Sequence, residues 1–136
     1  MTKISRLFLS SALFATSLTA SAEFGFGIPE FDKNSATLNE AAKAILADSA
    51  TLLERWPDKK LKIYGSRGQL ESDASVSSRR LESARKFLIE IGVNSEKILL
   101  EDVGTSRPLQ PDCIHDAAPE ECDRYNRNIQ LQLVAP

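Results

Sequence analysis

From Leu38 to Trp56 the apolar residues recur at helical spacing, and a second such stretch runs from Asp73 to Ile91. This pairing restricts the fold more than any other feature of the chain. In the first stretch Leu38, Ala41, Ala42, Ile45, Leu46, Leu52, Leu53 and Trp56 share one face, while Lys43, Glu54 and Arg55 fall outside it. Thr37-Leu38-Asn39-Glu40 reads as a capping box at its start, and Pro57 stops it. In the second stretch Val76, Leu81, Ala84, Phe87, Leu88 and Ile91 form the apolar arc, followed by Gly92 as a C-terminal cap.

The segments around these helices alternate as strands do. Leu61 and Ile63 interleave with Lys60 and Lys62, which predicts a strand with one solvated face, ended by a turn at Gly65 to Gly68. Ile98 to Val103 reads as another strand. Asn128 to Val134 is a last one, with Ile129, Leu131 and Leu133 on one side. Phe24 to Phe31 is a first strand in this reading, and Pro29 marks an edge or an irregular end. Thr105 to Arg124 is left as a long loop. The order β-α-β-α-β-β predicts an α+β fold with one mixed sheet and two helices packed on one face. The two β-α-β crossovers imply right-handed connections between parallel strands.

The first residues belong to a different problem. Lys3 and Arg6 precede an uncharged, mostly apolar run from Leu7 to Leu18, and Ala20-Ser21-Ala22 offers a small-x-small cleavage site. Residues 1–22 are therefore expected to be a secretory signal and residues 23–136 a single exported domain, periplasmic and without a membrane span. Taking Lys3 and Arg6 from the 17 Lys and Arg residues, with all 19 Asp and Glu kept, moves the formal charge from −2 to about −4. Such a balance disfavours nucleic acid as a partner, because phosphate binding needs a positive field.

Cys113 and Cys122 form a close even pair, which in an oxidising compartment is most simply a disulfide. His115 lies between them, but no second ligand pair stands at zinc spacing, so no metal is expected. Asp112, Asp116, Glu120, Glu121 and Asp123 read as a solvated acidic loop around the disulfide. His115 is the only histidine, and no nucleophile motif or phosphate loop accompanies it, so neither catalysis nor a cofactor is expected.

One residue breaks the helical pattern. At 100° per residue Arg80 falls on the apolar arc between Phe87 and Ile91, whereas Arg79, Glu82 and Lys86 fall on the solvated side. A guanidinium facing a core needs an acidic partner. Three readings stand: Arg80 clamps an anionic ligand group, it pairs internally with Glu71, Asp73 or Asp123, or it snorkels to solvent along its aliphatic stem.

Several segments resemble the peptidoglycan-binding domain of the OmpA family. Phe31-Asp32-Lys33-Asn34-Ser35-Ala36-Thr37-Leu38 is similar to the family's first-strand-to-helix signature, and Val76-Ser77-Ser78-Arg79-Arg80 to its Leu-Ser-x-x-Arg motif. Gly92-Val93, Ile98, Gly104 and Ser106-Arg107-Pro108 follow in the family's order, as does Asn126-Arg127-Asn128-Ile129 at the last strand. The resemblance covers about Phe31 to Val134 and implies an OmpA-like sandwich, associated with the outer membrane. It implies a non-catalytic module that grips the diaminopimelate of the cell-wall stem peptide, with an Asp on its ammonium and an Arg on its carboxylate. Backbone N–H groups at the start of the second helix assist. Arg80 matches that Arg, and Arg127 matches the Arg that borders the site. The family's Asp position holds Gly68, in a turn about three residues shorter. The implied site is thus Arg80, Arg127, Ser66 and Gly68, with Glu71 or Asp73 as substitute carboxylate. The alternative is a degenerate domain that serves as a structural or protein-interaction piece of an envelope assembly.

Overall fold

The computed structural model describes residues 26–136. The expected signal segment, residues 1–22, lies outside the described residues. Helix α1 spans Glu40–Arg55, strand β1 Lys60–Ser66, helix α2 Val76–Glu90 and strand β2 Ile98–Gly104; a short helix α3, Pro119–Asp123, precedes strand β3, Ile129–Val134. The sheet has the order β2-β1-β3, with β1 parallel to β2 and antiparallel to β3. The chain is thus α+β with a mixed sheet.

The helices start where side chains satisfy their free amides. Asn39, rather than Thr37, caps α1, because its side-chain oxygen accepts the Ala42 N–H at 2.8 Å. α2 begins at Val76, three residues later than the periodicity suggests, since Asp73 folds into a local turn and accepts from the Ser75 N–H at 2.9 Å. Leu46 and Leu53 of α1 and Leu81, Ala84 and Leu88 of α2 meet Leu61, Ile63, Ile98 and Ile129 of the sheet in one core. Alternate residues of β1 face the other way. There Tyr64 donates to Gln132 at 3.0 Å and lies beneath the Arg107 guanidinium, 4.1 Å from its ring centroid. Gly65 lets α2 come close: a Cβ there would sit 2.6 Å from both Leu81 Cγ and the Ser77 carbonyl oxygen.

Three expectations are corrected. The first strand shrinks, among the described residues, to an isolated antiparallel bridge between Glu30 and Asn128. Pro29 has no N–H to give a ladder and contributes only its carbonyl, which accepts the Ile129 N–H at 3.2 Å. Because β3 is antiparallel to β1, this segment still runs in the direction of β1. The Thr105 to Arg124 stretch is not wholly loop, since it holds α3 and a single turn at Cys113–His115. Trp56 and Ile91, placed on the apolar arcs, are exposed at the helix ends.

Candidate functional site

The site is built where the C-terminal end of β1, the turn after it, the start of α2 and the segment leading into α1 come together. Arg80 occupies its centre and is 0% exposed. A guanidinium has five N–H donors, and each has an acceptor here. Nε donates to the Ser35 carbonyl at 2.9 Å, Nη1 to the Ser66 carbonyl at 3.0 Å and Nη2 to the Asp32 carbonyl at 3.2 Å. The remaining two meet the Glu71 carboxylate side-on, Nη1 to Oε1 at 2.6 Å and Nη2 to Oε2 at 2.5 Å. The Phe31 ring centroid is 5.0 Å from the guanidinium carbon. Of the three readings of Arg80, the internal ion pair with Glu71 is the arrangement present.

Glu71 is equally saturated. Besides Arg80, its Oε1 accepts the Gly68 N–H at 2.8 Å and its Oε2 the Asn34 N–H at 2.7 Å. The Glu71 side chain is, like that of Arg80, wholly buried. A buried bidentate pair with every lone pair and proton used is the geometry in which such pairs are tolerated. The shortened turn puts Glu71 there: the Glu71 N–H returns to the Gly68 carbonyl at 3.2 Å, folding residues 68–71 beneath the start of α2. Asn34 presents its amide from the left-handed region, φ 54°, a conformation that Asn tolerates better than most residues. The backbone N–H groups around the carboxylate thus come from Asn34 and Gly68, not from the start of α2.

The other expected residues divide. Ser66 and Gly68 join the site through backbone atoms, and the Ser66 hydroxyl is buried without a hydrogen-bond partner. The Asp73 N–H donates to Asn34 Oδ1 at 3.1 Å, but the Asp73 carboxylate lies outside the site. It takes the Ser75 hydroxyl and N–H and pairs with Arg79, at about one-third side-chain exposure. These contacts, the Ser75 hydroxyl first, lower its pKa to about 2. Arg127 touches the site through its backbone, its carbonyl accepting the Phe31 N–H at 2.9 Å, and its Nε is buried without a hydrogen-bond partner. A shallow groove of about 610 Å³ borders the site at Asn34 and Ser35 and continues past Lys43, Arg79 and Lys86; Arg80 is not among its walls.

Asp123 corrects the reading of the acidic loop. It is 1% exposed, and its carboxylate takes the Gln69 N–H at 3.0 Å and the Leu70 N–H at 2.9 Å. It also accepts from Asn126 at 3.1 Å, and Asn126 in turn holds both the N–H and the carbonyl of Gln110. Cys113 and Cys122 are joined in a disulfide beside this network. The roles of Asn34 and Asp123 leave no trace in periodicity. The signal for Asn34 is its tolerance of positive φ just before a helix, and for Asp123 none is local.

Residues 30–121 match the sequence profile of the OmpA family. Among curated proteins none matches the chain. Solved structures share the fold. The peptidoglycan-associated lipoprotein from Burkholderia pseudomallei is 23% identical, with a TM-score of 0.68 over 79% of this chain and 89% of that one. The C-terminal domain of Helicobacter pylori MotB is 16% identical, with a TM-score of 0.68 over 81% of this chain and 85% of that one. The OmpA-like domain of FopA1 from Francisella tularensis subsp. tularensis SCHU S4 is 20% identical, with a TM-score of 0.61 over 80% and 71%. Sequence match and shared architecture agree, and the chain belongs to the OmpA family.

Proposed function

We propose that this chain is a non-catalytic, periplasmic domain that binds the stem peptide of peptidoglycan without covalent chemistry, taking a diaminopimelate carboxylate at Arg80. The observation that carries the reading is the convergence of one guanidinium and two backbone amides, those of Asn34 and Gly68, on a single carboxylate. A bidentate fork supplemented by N–H groups suits a carboxylate in charge and in geometry. Likeness of fold to a lipoprotein described as peptidoglycan-associated supports the same ligand. The apolar run and small-x-small site before Glu23 support export. The test is co-sedimentation of residues 23–136 with diaminopimelate-type sacculi, competed by free diaminopimelate. Pelleting that free ligand abolishes is expected. Protein left in the supernatant, while still folded, would overturn the reading.

A second reading is favoured by one observation, the presence of Glu71 where a ligand carboxylate would go. In this reading the domain has given up the wall and serves as a protein-binding piece of an envelope assembly. A stoichiometric protein partner recovered from native envelopes, together with no sacculus binding, is the outcome that selects it.

A further inference from the structure

Glu71 receives four hydrogen bonds, and none of them depends on its being part of the chain. Two come from the Arg80 fork and two from amides on separate segments, Asn34 before α1 and Gly68 after β1. Their acceptor is a carboxylate group reached through two methylenes, and a carboxylate arriving from outside could make the same set. The pair is closed off from solvent on both sides. We infer that Glu71 is a tethered occupant of a carboxylate-binding seat, so that the domain holds its own competitor and admits an outside carboxylate only by exchange. The inference rests on the reading of Arg80 as a ligand clamp but concerns the seat itself, whatever molecule brings the carboxylate.

The backbone of the turn and the Glu71 carboxylate are held by different groups. Glu71 is anchored in the short turn by its own amide to the Gly68 carbonyl at 3.2 Å, while Asp123 separately holds Gln69 and Leu70. Release of the Glu71 carboxylate would therefore leave the Asp123 contacts to the turn's backbone intact. The open groove is walled by Asn34 and Ser35, two residues whose backbone atoms bond the pair, so the displacement of these two residues would open the seat toward it. A seat filled from within lowers apparent affinity by the fraction of time it is empty.

The test is chemical rescue of Glu71→Ala by acetate. Acetate is expected to raise the melting temperature of the variant saturably, to leave the wild type unmoved, and to act where equal chloride does not. Equal effects on variant and wild type would overturn the inference. If the variant does not fold in buffer, it is refolded in acetate or in chloride: folding in acetate alone supports the seat, and failure in both rejects it. Both proteins are then titrated onto diaminopimelate-type sacculi, where the variant is expected to bind about tenfold or more tightly than the wild type. A variant that takes acetate but ignores sacculi keeps the seat and removes the wall reading. A variant that ignores acetate, and pellets with sacculi as the wild type itself does, keeps the wall reading and removes the seat.

Discussion

Asp123 fills the space that a side chain at residue 68 would need: a Cβ built on Gly68 lies 2.2 Å from Asp123 Oδ2. A side chain at position 68 and the buried Asp123 carboxylate therefore exclude each other. Gly68→Asp must push Asp123 off the Gln69 and Leu70 amides and bury a second carboxylate beside it. A loss of about 1–3 kcal/mol is expected for Gly68→Ala from overpacking alone. Combining Gly68→Ala with Asp123→Gly should cost less than the two single changes together. Urea midpoints for the four proteins of that cycle measure it.

Breaking the Arg80–Glu71 pair from one side leaves a buried charge without its partner. Arg80→Met is expected to cost about 3–5 kcal/mol in urea unfolding. The double variant Arg80→Met with Glu71→Leu, which removes both charges, is expected to be more stable than either single variant. Additive losses would mean that the pair is not the unit that the geometry indicates.

The disulfide closes a loop of sequence separation 9, which the chain-entropy model values at roughly 2–3 kcal/mol. Its reduction should also be felt at a distance, because Cys122 adjoins Asp123 and Asn126 bridges Asp123 to Gln110. Hydrogen exchange of the Gln69 and Leu70 amides is expected to accelerate in Cys113→Ser with Cys122→Ser. Unchanged protection there would show that Asp123 holds its place without the bridge.

The Asp73 carboxyl, brought from 3.8 to about 2 by the Ser75 hydroxyl, the Ser75 N–H and Arg79, titrates below its unfolded value. A group depressed in this way favours the folded state fully above its unfolded pKa, and that favour fades as pH falls from there through the folded value. A carboxyl-carbon titration by NMR should place the Asp73 midpoint near 2. In Ser75→Ala the midpoint should move up toward the ordinary value. A wild-type midpoint at the ordinary value would refute the turn geometry.

Much of the framework is legible in the residues. Leu61 and Ile63 against Lys60 and Lys62 place β1, and Ile129, Leu131 and Leu133 place β3, because a half-buried strand must alternate. The segment at Pro29 is apolar enough for a strand, yet apolarity says nothing of the ladder that proline cannot join. Arg80 announces itself by standing on an apolar arc. Its partner does not, since choosing among Glu71, Asp73 and Asp123 depends on how a four-residue turn closes, and helical spacing carries no record of that. Asp123 reads as one more acid in an exposed loop. Its burial comes from Gln69 and Leu70, more than fifty residues away, and no local pattern reports such a contact. Trp56 and Ile91 are misplaced for a simpler reason: periodicity does not say where a helix face runs out of sheet to cover it.

The neutrality of the buried pair also governs how the domain meets another molecule. Arg80 is cancelled by Glu71 at contact distance and sealed from water, so it projects almost no field into solvent, where even free charges are screened within about 8 Å at physiological ionic strength. What an approaching anion senses instead is, for residues 23–136, a formal net charge of about −4. Encounter is then unassisted, or mildly opposed, and recognition begins only at contact. Raising the ionic strength should leave the association rate unchanged or quicken it, the reverse of what an exposed arginine clamp produces.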